Sequence, residues 1–107
     1  MKDKFLSLMG MARRAGKIVL GFDAVEEAVH KRKAISVYCA QDLSSRTQRN
    51  MRQVCEEERI ILLLIPCTID ELTAAVGKPA GIAALTDKGF ADRANDLLSQ
   101  LEEENAI

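Results

Sequence analysis

The sequence predicts an α/β protein, a three-layer α/β/α sandwich with a four-stranded mixed, mostly parallel sheet. Three observations lead to this fold class. Segments with helical apolar spacing alternate with short runs of β-forming residues, and the connections between them are short. Such a pattern favours strands sandwiched between helical layers. The run from Ile60 to Ile65 is aliphatic throughout and ends at Pro66, which is typical of a central strand covered on both faces.

The individual elements follow from their apolar spacing and from their capping residues. The second helix is expected to begin near Phe22 or Asp23, and the oxygen-bearing side chains of residues 42–45 should cap the third. Thr68 and Glu71 form a capping box that starts the fourth helix. The first helix is expected at about residues 3–15, the last at about 90–101, and the strands at 17–20, 35–40, 60–65 and 82–86.

The length of 107 residues predicts one domain, which we place at residues 1–101, with a flexible acidic tail at 102–107. No apolar run approaches the roughly 18 residues of a membrane span, and the N-terminus lacks a signal-peptide pattern. We therefore expect a cytoplasmic monomer that does not contact a membrane.

The cysteines and the single histidine predict no metal or cofactor. Cys39, Cys55 and Cys67 are widely spaced within apolar patterns, so we interpret them as reduced thiols of the core. His30 lies in a basic run that ends a helix, where a solvated side chain is the ordinary arrangement. A metal site built from His and Cys clusters is thereby disfavoured.

The charges are distributed unevenly along the chain. The net charge of −1 argues against a protein that coats nucleic acid without discrimination. Residues 1–54 contain eleven Lys/Arg and five Asp/Glu, whereas residues 55–107 contain four and eleven, so the halves carry +6 and −7. A basic surface opposite an acidic one becomes plausible, provided that the fold keeps the two halves apart.

The segment from Arg13 to Asp23 combines features that suit phosphate binding. Arg13, Arg14 and Lys17 provide cations, and Gly21 precedes a predicted helix N-terminus with its free backbone N–H groups and positive dipole end. Gly21 has no Cβ, so a nucleic-acid backbone could approach closely. An ordinary turn at Gly21, followed by Asp23 as the helix N-cap, explains the same residues without a ligand.

Three motifs in this order and spacing resemble the L7Ae ribosomal protein family, specifically its bacterial YlxQ-like branch. They are Met11–Lys17, Gly21–Asp23 and Ala84–Ala91, with Cys55–Glu57 as a further similarity. The resemblance extends from about residue 4 to residue 98, and it implies an α/β/α sandwich that binds RNA without catalysing a reaction. The RNA implied is the kink-turn, a bent duplex whose recognition depends on shape and on unstacked bases.

The resemblance also implies which residues bind. The family reads sheared G·A pairs through a Gly-x-Asn-x-x-x-Lys pattern, and a second loop covers a flipped base. The pattern falls here on Gly21, Asp23 and Glu27, and the second loop falls on Pro79, Ala80 and Gly81, which follow Lys78. To these implied residues we add Phe22 beside the glycine, and Arg14 and Lys17 as contacts for phosphates. Ribosomal RNA and ribosomal proteins become candidate partners, and neither DNA nor a membrane is expected.

Asp23 and Glu27 depart from the family pattern, because carboxylates replace an amide and a cation. Asp23 can accept a hydrogen bond from a base but cannot donate one. Glu27 would repel nearby phosphates. An alternative is therefore a protein-interaction module that keeps the fold and has lost its affinity for kink-turns.

Two further features of the sequence each allow more than one interpretation. Arg46, Arg49 and Arg52 occur at every third position of the third helix, and they either track an RNA backbone or form a solvated face. Asp42 and Asp87 each follow a predicted strand, so a small receiver-like or phosphoryl-transfer domain is a further alternative. Helix capping explains both carboxylates equally well.

Overall fold

The computed structural model describes residues 2–105 and contains the predicted five helices and four strands. The predicted elements are all present, with ends that differ by a few residues. The helices are α1 (Lys2–Arg14), α2 (Phe22–His30), α3 (Ser45–Glu58), α4 (Ile69–Val76) and α5 (Lys88–Asn105); the strands are β1 (Ile18–Leu20), β2 (Ser36–Ala40), β3 (Ile61–Ile65) and β4 (Ile82–Leu85).

The four strands form one mixed sheet in the order β1-β4-β2-β3. β4 runs antiparallel to both of its neighbours, and only β2 and β3 pair in parallel. Three strands therefore point the same way, but the reversed β4 lies between two of them. Most of the pairings are antiparallel as a result, which the alternation of helices and strands did not predict.

The direction of β4 follows from the short connection through α4. The N–H of Gln41 donates to the carbonyl of Cys67, just before α4, at 2.9 Å. The N–H of Ala40 donates to the carbonyl of Gly81, just before β4, also at 2.9 Å. The chain thus leaves β3 and enters β4 at the same end of the sheet. We call this end, where β1, β2 and β3 finish and β4 begins, the upper end.

The prediction that residues 60–65 form a central strand was wrong. β3 lies at an edge of the sheet, next to β2 alone among the described strands. Ile61 is 51% exposed and Leu64 is 54% exposed. The central positions belong to β4 and β2, whose residues are all buried. A continuous apolar run is compatible with an edge strand and with a central strand, and only the pairing of the strands decides between the two.

Helices cover both faces of the sheet and form two cores. α1, α4 and α5 pack on one face, with Phe5, Met9 and Tyr38 among the residues of that core. α2 and α3 cover the other face, where Val25 and Met51 are fully buried. This arrangement confirms the predicted three-layer α/β/α sandwich.

The cysteine prediction is confirmed, because Cys39, Cys55 and Cys67 are free and buried. Burial raises the pKa of each thiol from 9 to about 11. The three side chains are therefore protonated at neutral pH. In this state they pack as small apolar groups and are poor nucleophiles.

A buried polar network, which the sequence analysis did not identify, connects β2 to α5. The Tyr38 hydroxyl lies 2.6 Å from Ser36 Oγ and donates to Asn95 Oδ1 at 2.8 Å. Burial raises the pKa of Tyr38 to about 12. The network satisfies the hydroxyl groups that the core would otherwise leave without partners.

The last helix continues beyond its predicted end at residue 101. α5 runs to Asn105, so residues 102–105 are helical, and residues 106–107 of the predicted tail lie outside the described part of the chain. Within residues 2–105, no helix combines the length and the apolar character needed to cross a bilayer.

Candidate nucleic-acid interface

Three helices begin at the upper end of the sheet, and two of them are capped by side chains. Ser44 Oγ accepts the N–H of Thr47 at the start of α3. Thr68 and Glu71 form the predicted capping box of α4. Asp42 also accepts the N–H of Ile69, the first residue of α4, at 2.8 Å.

The N-terminus of α2 differs from these two. Its N-cap is Gly21, and no side chain in the described part of the chain caps this helix. Asp23 is therefore not the N-cap, and the explanation of Asp23 as a cap is wrong. The first-turn N–H groups of α2 are left for solvent or for a ligand that accepts hydrogen bonds.

Gly21 holds a backbone conformation that suits glycine alone. Its φ of 90° and ψ of 157° lie in a region that other residues rarely enter. A Cβ added at this position would meet none of the described atoms within 4 Å. Glycine is thus required here by the backbone, and it leaves open space beside the start of the helix.

The two predicted RNA-binding loops are close neighbours in the structure. The N–H of Gly21 donates to the carbonyl of Ile82 at 3.0 Å, and Ile82 directly follows Gly81. The start of α2 and the loop between α4 and β4 therefore form one corner of the upper end. We refer to residues 21–23 and 78–81 together as the α2 corner.

Side chains within the α2 corner face different directions. Asp23 is exposed, whereas Phe22 is half-buried and packs on the core between α2 and α3. In the second loop, Lys78 and Pro79 are exposed but Ala80 is buried. The open surface therefore consists mainly of Asp23, Lys78, Pro79 and the backbone of Gly21.

Ala80 and Gly81 give the second loop its shape. The N–H of Ala80 donates to Thr73 Oγ1 at 3.1 Å, which ties the loop back to α4. A Cβ on Gly81 would lie 2.9 Å from Leu43 Cδ1 and 3.3 Å from Ile69 Cγ1. Both residues thus position Pro79, although they were predicted to belong to the binding surface itself. No motif in the sequence pointed to Thr73 as the anchor.

Glu27 lies one turn along α2 from Asp23, and it is paired with a cation. Lys31 Nζ lies 2.5 Å from Glu27 Oε1, and both side chains are largely exposed. The hydrogen bond from Lys31 holds the pKa of Glu27 below its usual range. This pair was not expected from the sequence, although its spacing of four residues within a helix is typical of such pairs. Lys31 offsets the negative charge that Glu27 brings to this face.

Arg14 and Lys17 do not lie in the α2 corner. Lys17 is at the opposite end of β1, where its carbonyl accepts the N–H of Thr86 at 3.0 Å. With a strand rise of about 3.3 Å per residue, Lys17 and Gly21 are roughly 13 Å apart. Arg14 lines a groove between α1 and α4. Proximity in sequence did not bring these cations to the glycine.

The carboxylates considered for catalysis lie at opposite ends of the sheet. Asp42 follows β2 at the upper end, whereas Asp87 follows the reversed strand β4 at the lower end. Asp42 caps α4, and Asp87 accepts the N–H of Phe90 at 3.0 Å near the start of α5. Among residues 2–105, no group of three or more His, Cys, Asp or Glu side chains could hold a metal ion. The two carboxylates cannot form one receiver-like site.

The fold and the α2 corner define a small α/β/α sandwich whose exposed helix N-terminus is suited to binding. The chain matches the model of the Ribosomal protein L7Ae/L30e/S12e/Gadd45 family over residues 3–95. It belongs to this family, which confirms the resemblance drawn from its sequence motifs.

Relatives with similar sequences match almost the whole chain. The RNA-binding protein YlxQ of Enterococcus faecium is 28% identical over 101 residues, which cover 91% of this chain and 93% of that protein. The RNA-binding protein YlxQ of Bacillus subtilis (strain 168) is 30% identical over 100 residues, 89% of this chain and 95% of that protein.

Solved structures support the same fold. A protein of unknown function from Bacillus halodurans C superimposes with a TM-score of 0.84 at 26% identity, covering 90% of this chain and 97% of that chain. The 15.5kD RNA binding protein of Giardia lamblia has a TM-score of 0.72 at 17% identity, covering 92% and 84%. At that identity, the second likeness concerns the fold alone.

Proposed function

We propose that this protein is a non-catalytic RNA-binding protein that recognises structured RNA of the kink-turn type through the α2 corner. Membership of the L7Ae family and the similarity to the YlxQ proteins support RNA as the ligand. Ribosomal RNA is the candidate partner that the family suggests, with ribosomal proteins as its neighbours. Because such RNA is found in the cytoplasm, we place the protein there.

The observation that carries the proposal is the uncapped N-terminus of α2 beside Gly21. The first-turn N–H groups can donate to phosphate oxygens or to base edges, and the dipole of the helix favours negative charge there. The open space beside Gly21 lets an RNA backbone approach these donors.

The charges of this end allow an anionic ligand. Within the α2 corner, Asp23 is negative and Lys78 is positive, and both side chains are exposed. Elsewhere at the same end, the exposed carboxylates of Asp42 and of Asp70, in the first turn of α4, outnumber the exposed cation of Arg46, in the first turn of α3. The corner itself is formally neutral, so it does not repel RNA strongly. Recognition then depends on the shape of the RNA and on hydrogen bonds, more than on net positive charge.

Fluorescence anisotropy with a kink-turn hairpin and an unkinked duplex of equal length tests the proposal. The wild-type protein should prefer the kink-turn and should bind less tightly as salt is raised. Gly21→Ala should weaken binding about tenfold or more, because its methyl group enters the space that the RNA backbone would use.

Gly16→Ala is the matched control for this variant. Gly16 also has a positive φ, of 70°, and a methyl group there would again meet none of the described atoms within 4 Å. Because Gly16 lies outside the α2 corner, its variant should lose stability without losing RNA affinity. Equal losses of affinity in both variants would contradict the proposed site. Equal affinity of the wild-type protein for the kink-turn and for the unkinked duplex would contradict the proposed specificity.

A further inference from the structure

The free edge of β3 is the most apolar exposed feature of the sheet. Ile61 and Leu64 are both more than half exposed, and they lie on opposite faces because side chains alternate along a strand. No charged residue or proline interrupts the run from Ile60 to Ile65. Proteins usually protect such edges with charges, proline or a bulge, because the unpaired backbone can pair with another strand.

The apolar surface continues from β3 onto the end of α5. Leu64, Pro66 and Leu101 line a shallow groove together with Glu102. This groove lies at the carboxyl end of β3, so the end of α5 flanks the free edge. The edge is therefore an extended surface with apolar residues from a strand and from a helix.

We propose that a second copy of this chain pairs with the free edge, β3 against β3, around a two-fold axis. Two identical strands related by such an axis run antiparallel and present the same surface to each other. With Leu63 at the axis, Ile61 lies beside Ile65 of the second copy, and Leu64 beside its Leu62. The two sheets then form one continuous sheet of eight strands.

The charges on α3 are complementary under this symmetry. α3 packs over β3 and precedes it directly in the chain, so the two-fold axis also reverses α3 against its copy. Arginines occur from the first turn to the middle of α3 and glutamates fill its last turn, so opposite charges face each other. These charged residues are Arg46 and Arg49 in the first half, Arg52 just past the middle, and Glu56, Glu57 and Glu58 at the end.

Arg52 lies on the outer face of α3 that is turned away from α2. Asn50, Gln53 and Glu57 line a groove together with α2, and Arg52 lies about 100° or more around the helix from each of them. Glu56 follows Arg52 by four positions and lies next to it on the helix surface. Within the described chain, Arg52 is not ion-paired. It is thus available to Glu56 of the second copy.

A second complementary pair lies at the two ends of β3. Arg59 is exposed two residues before the strand, whereas Glu102 lies at its carboxyl end and is followed by Glu103 and Glu104. Antiparallel pairing brings Arg59 of one copy towards the glutamates of the other. The same attraction occurs twice in the dimer because the interface is symmetric.

The α2 corner stays open in this dimer. β3 is at one edge of the sheet and β1, which leads into Gly21, is at the other. Each copy therefore keeps its own RNA surface, and dimerisation can be measured without RNA. If the protein proves to be monomeric, the proposed RNA binding is unaffected. If RNA does not bind at the α2 corner, the proposed dimer is unaffected.

Sedimentation equilibrium over a range of concentrations tests the proposal on the full chain. The wild-type protein should approach twice the monomer mass as its concentration rises. Leu64→Lys should raise the dimer dissociation constant at least tenfold, because two ammonium groups then enter the apolar edge. Met11→Lys is the control, since Met11 is 49% exposed on α1 and lies outside this edge. Circular dichroism shows whether each variant is folded.

Charge reversal tests the orientation of the copies. Arg52→Glu alone and Glu56→Arg alone should each weaken the dimer severalfold, and the double variant should regain most of the lost affinity. A monomer at every concentration, or a dimer that Leu64→Lys leaves unchanged, would overturn the proposal. Failure of the double variant to regain affinity would overturn the antiparallel arrangement.

Discussion

The substitution Glu27→Lys most directly probes the exposed surface of α2 formed by Asp23, Glu27 and Lys31, which we call the α2 face. It removes the carboxylate that pairs with Lys31 and places a second ammonium one turn from Asp23. The local charge thus changes by two units, and Lys31 becomes free to contact a phosphate. If RNA binds along the α2 corner, this face gains one or two phosphate contacts.

The salt dependence of binding gives the expected magnitude. Each additional phosphate contact steepens the slope of log K against log salt by about 0.9 for a duplex. One to two contacts therefore add about 0.9–1.8 to the slope. Between about 50 and 200 mM salt, the variant should lose affinity roughly 3.5-fold to 12-fold more than the wild-type protein does.

Asp92→Lys is a closely matched control for this experiment. Asp92 is also paired with a lysine four residues away, Lys88, at 2.7 Å on α5. Both variants lose one exposed helical ion pair and change the charge by two units, but α5 covers the opposite face of the sheet. Anisotropy titrations with the kink-turn hairpin at four or more salt concentrations provide the two slopes.

The outcome distinguishes the proposed function from its alternatives. A steeper slope for Glu27→Lys alone supports RNA contact at the α2 face. Equal changes in both variants would show general attraction to a more positive protein. Weaker binding by Glu27→Lys would show that the native site uses the carboxylate. A large gain in affinity from adding Asp23→Asn would favour the interaction module that has lost kink-turn binding.

Three further predictions concern the framework that supports the corner. Tyr38→Phe should lower the free energy of unfolding by about 1–3 kcal/mol, because Asn95 loses its buried partner. Urea denaturation measures this loss, and an unchanged midpoint would show that the network contributes little. Gly10→Ala should lower the free energy of unfolding by up to about 2 kcal/mol, because its Cβ would lie 2.8 Å from the Ala75 carbonyl oxygen. This net loss already includes the gain of about 1 kcal/mol from the higher helix propensity of alanine. A more stable variant would show that α1 and α4 separate easily. The buried thiols, with pKa values of about 11 against 9 when unfolded, release protons on unfolding between these pH values. Stability should therefore fall as pH rises above 9, by about 1 kcal/mol per thiol at pH 10, whereas an equal denaturation midpoint at pH 8 and pH 10 would contradict the assignment.

Local patterns in the sequence were sufficient for the helices, for the caps of α3 and α4 and for part of the candidate site, but not for the start of α2, where Asp23 does not act as the cap. The capping box of Thr68 and Glu71 was predicted correctly because it depends on residues three positions apart. Gly21 was also identified, since a glycine before a helix N-terminus is a local feature. The burial of the cysteines followed from their apolar surroundings in the sequence.

Only the tertiary structure decided the relations between distant segments. The reversal of β4 placed Asp42 and Asp87 at opposite ends, and the strand order exposed β3 at an edge. The same pairing brought Gly21 to Ile82, at 3.0 Å, while it left Lys17 at the lower end. A residue's hydrophobicity and its near neighbours determine which element it joins, but hydrogen bonds between distant strands determine which elements meet.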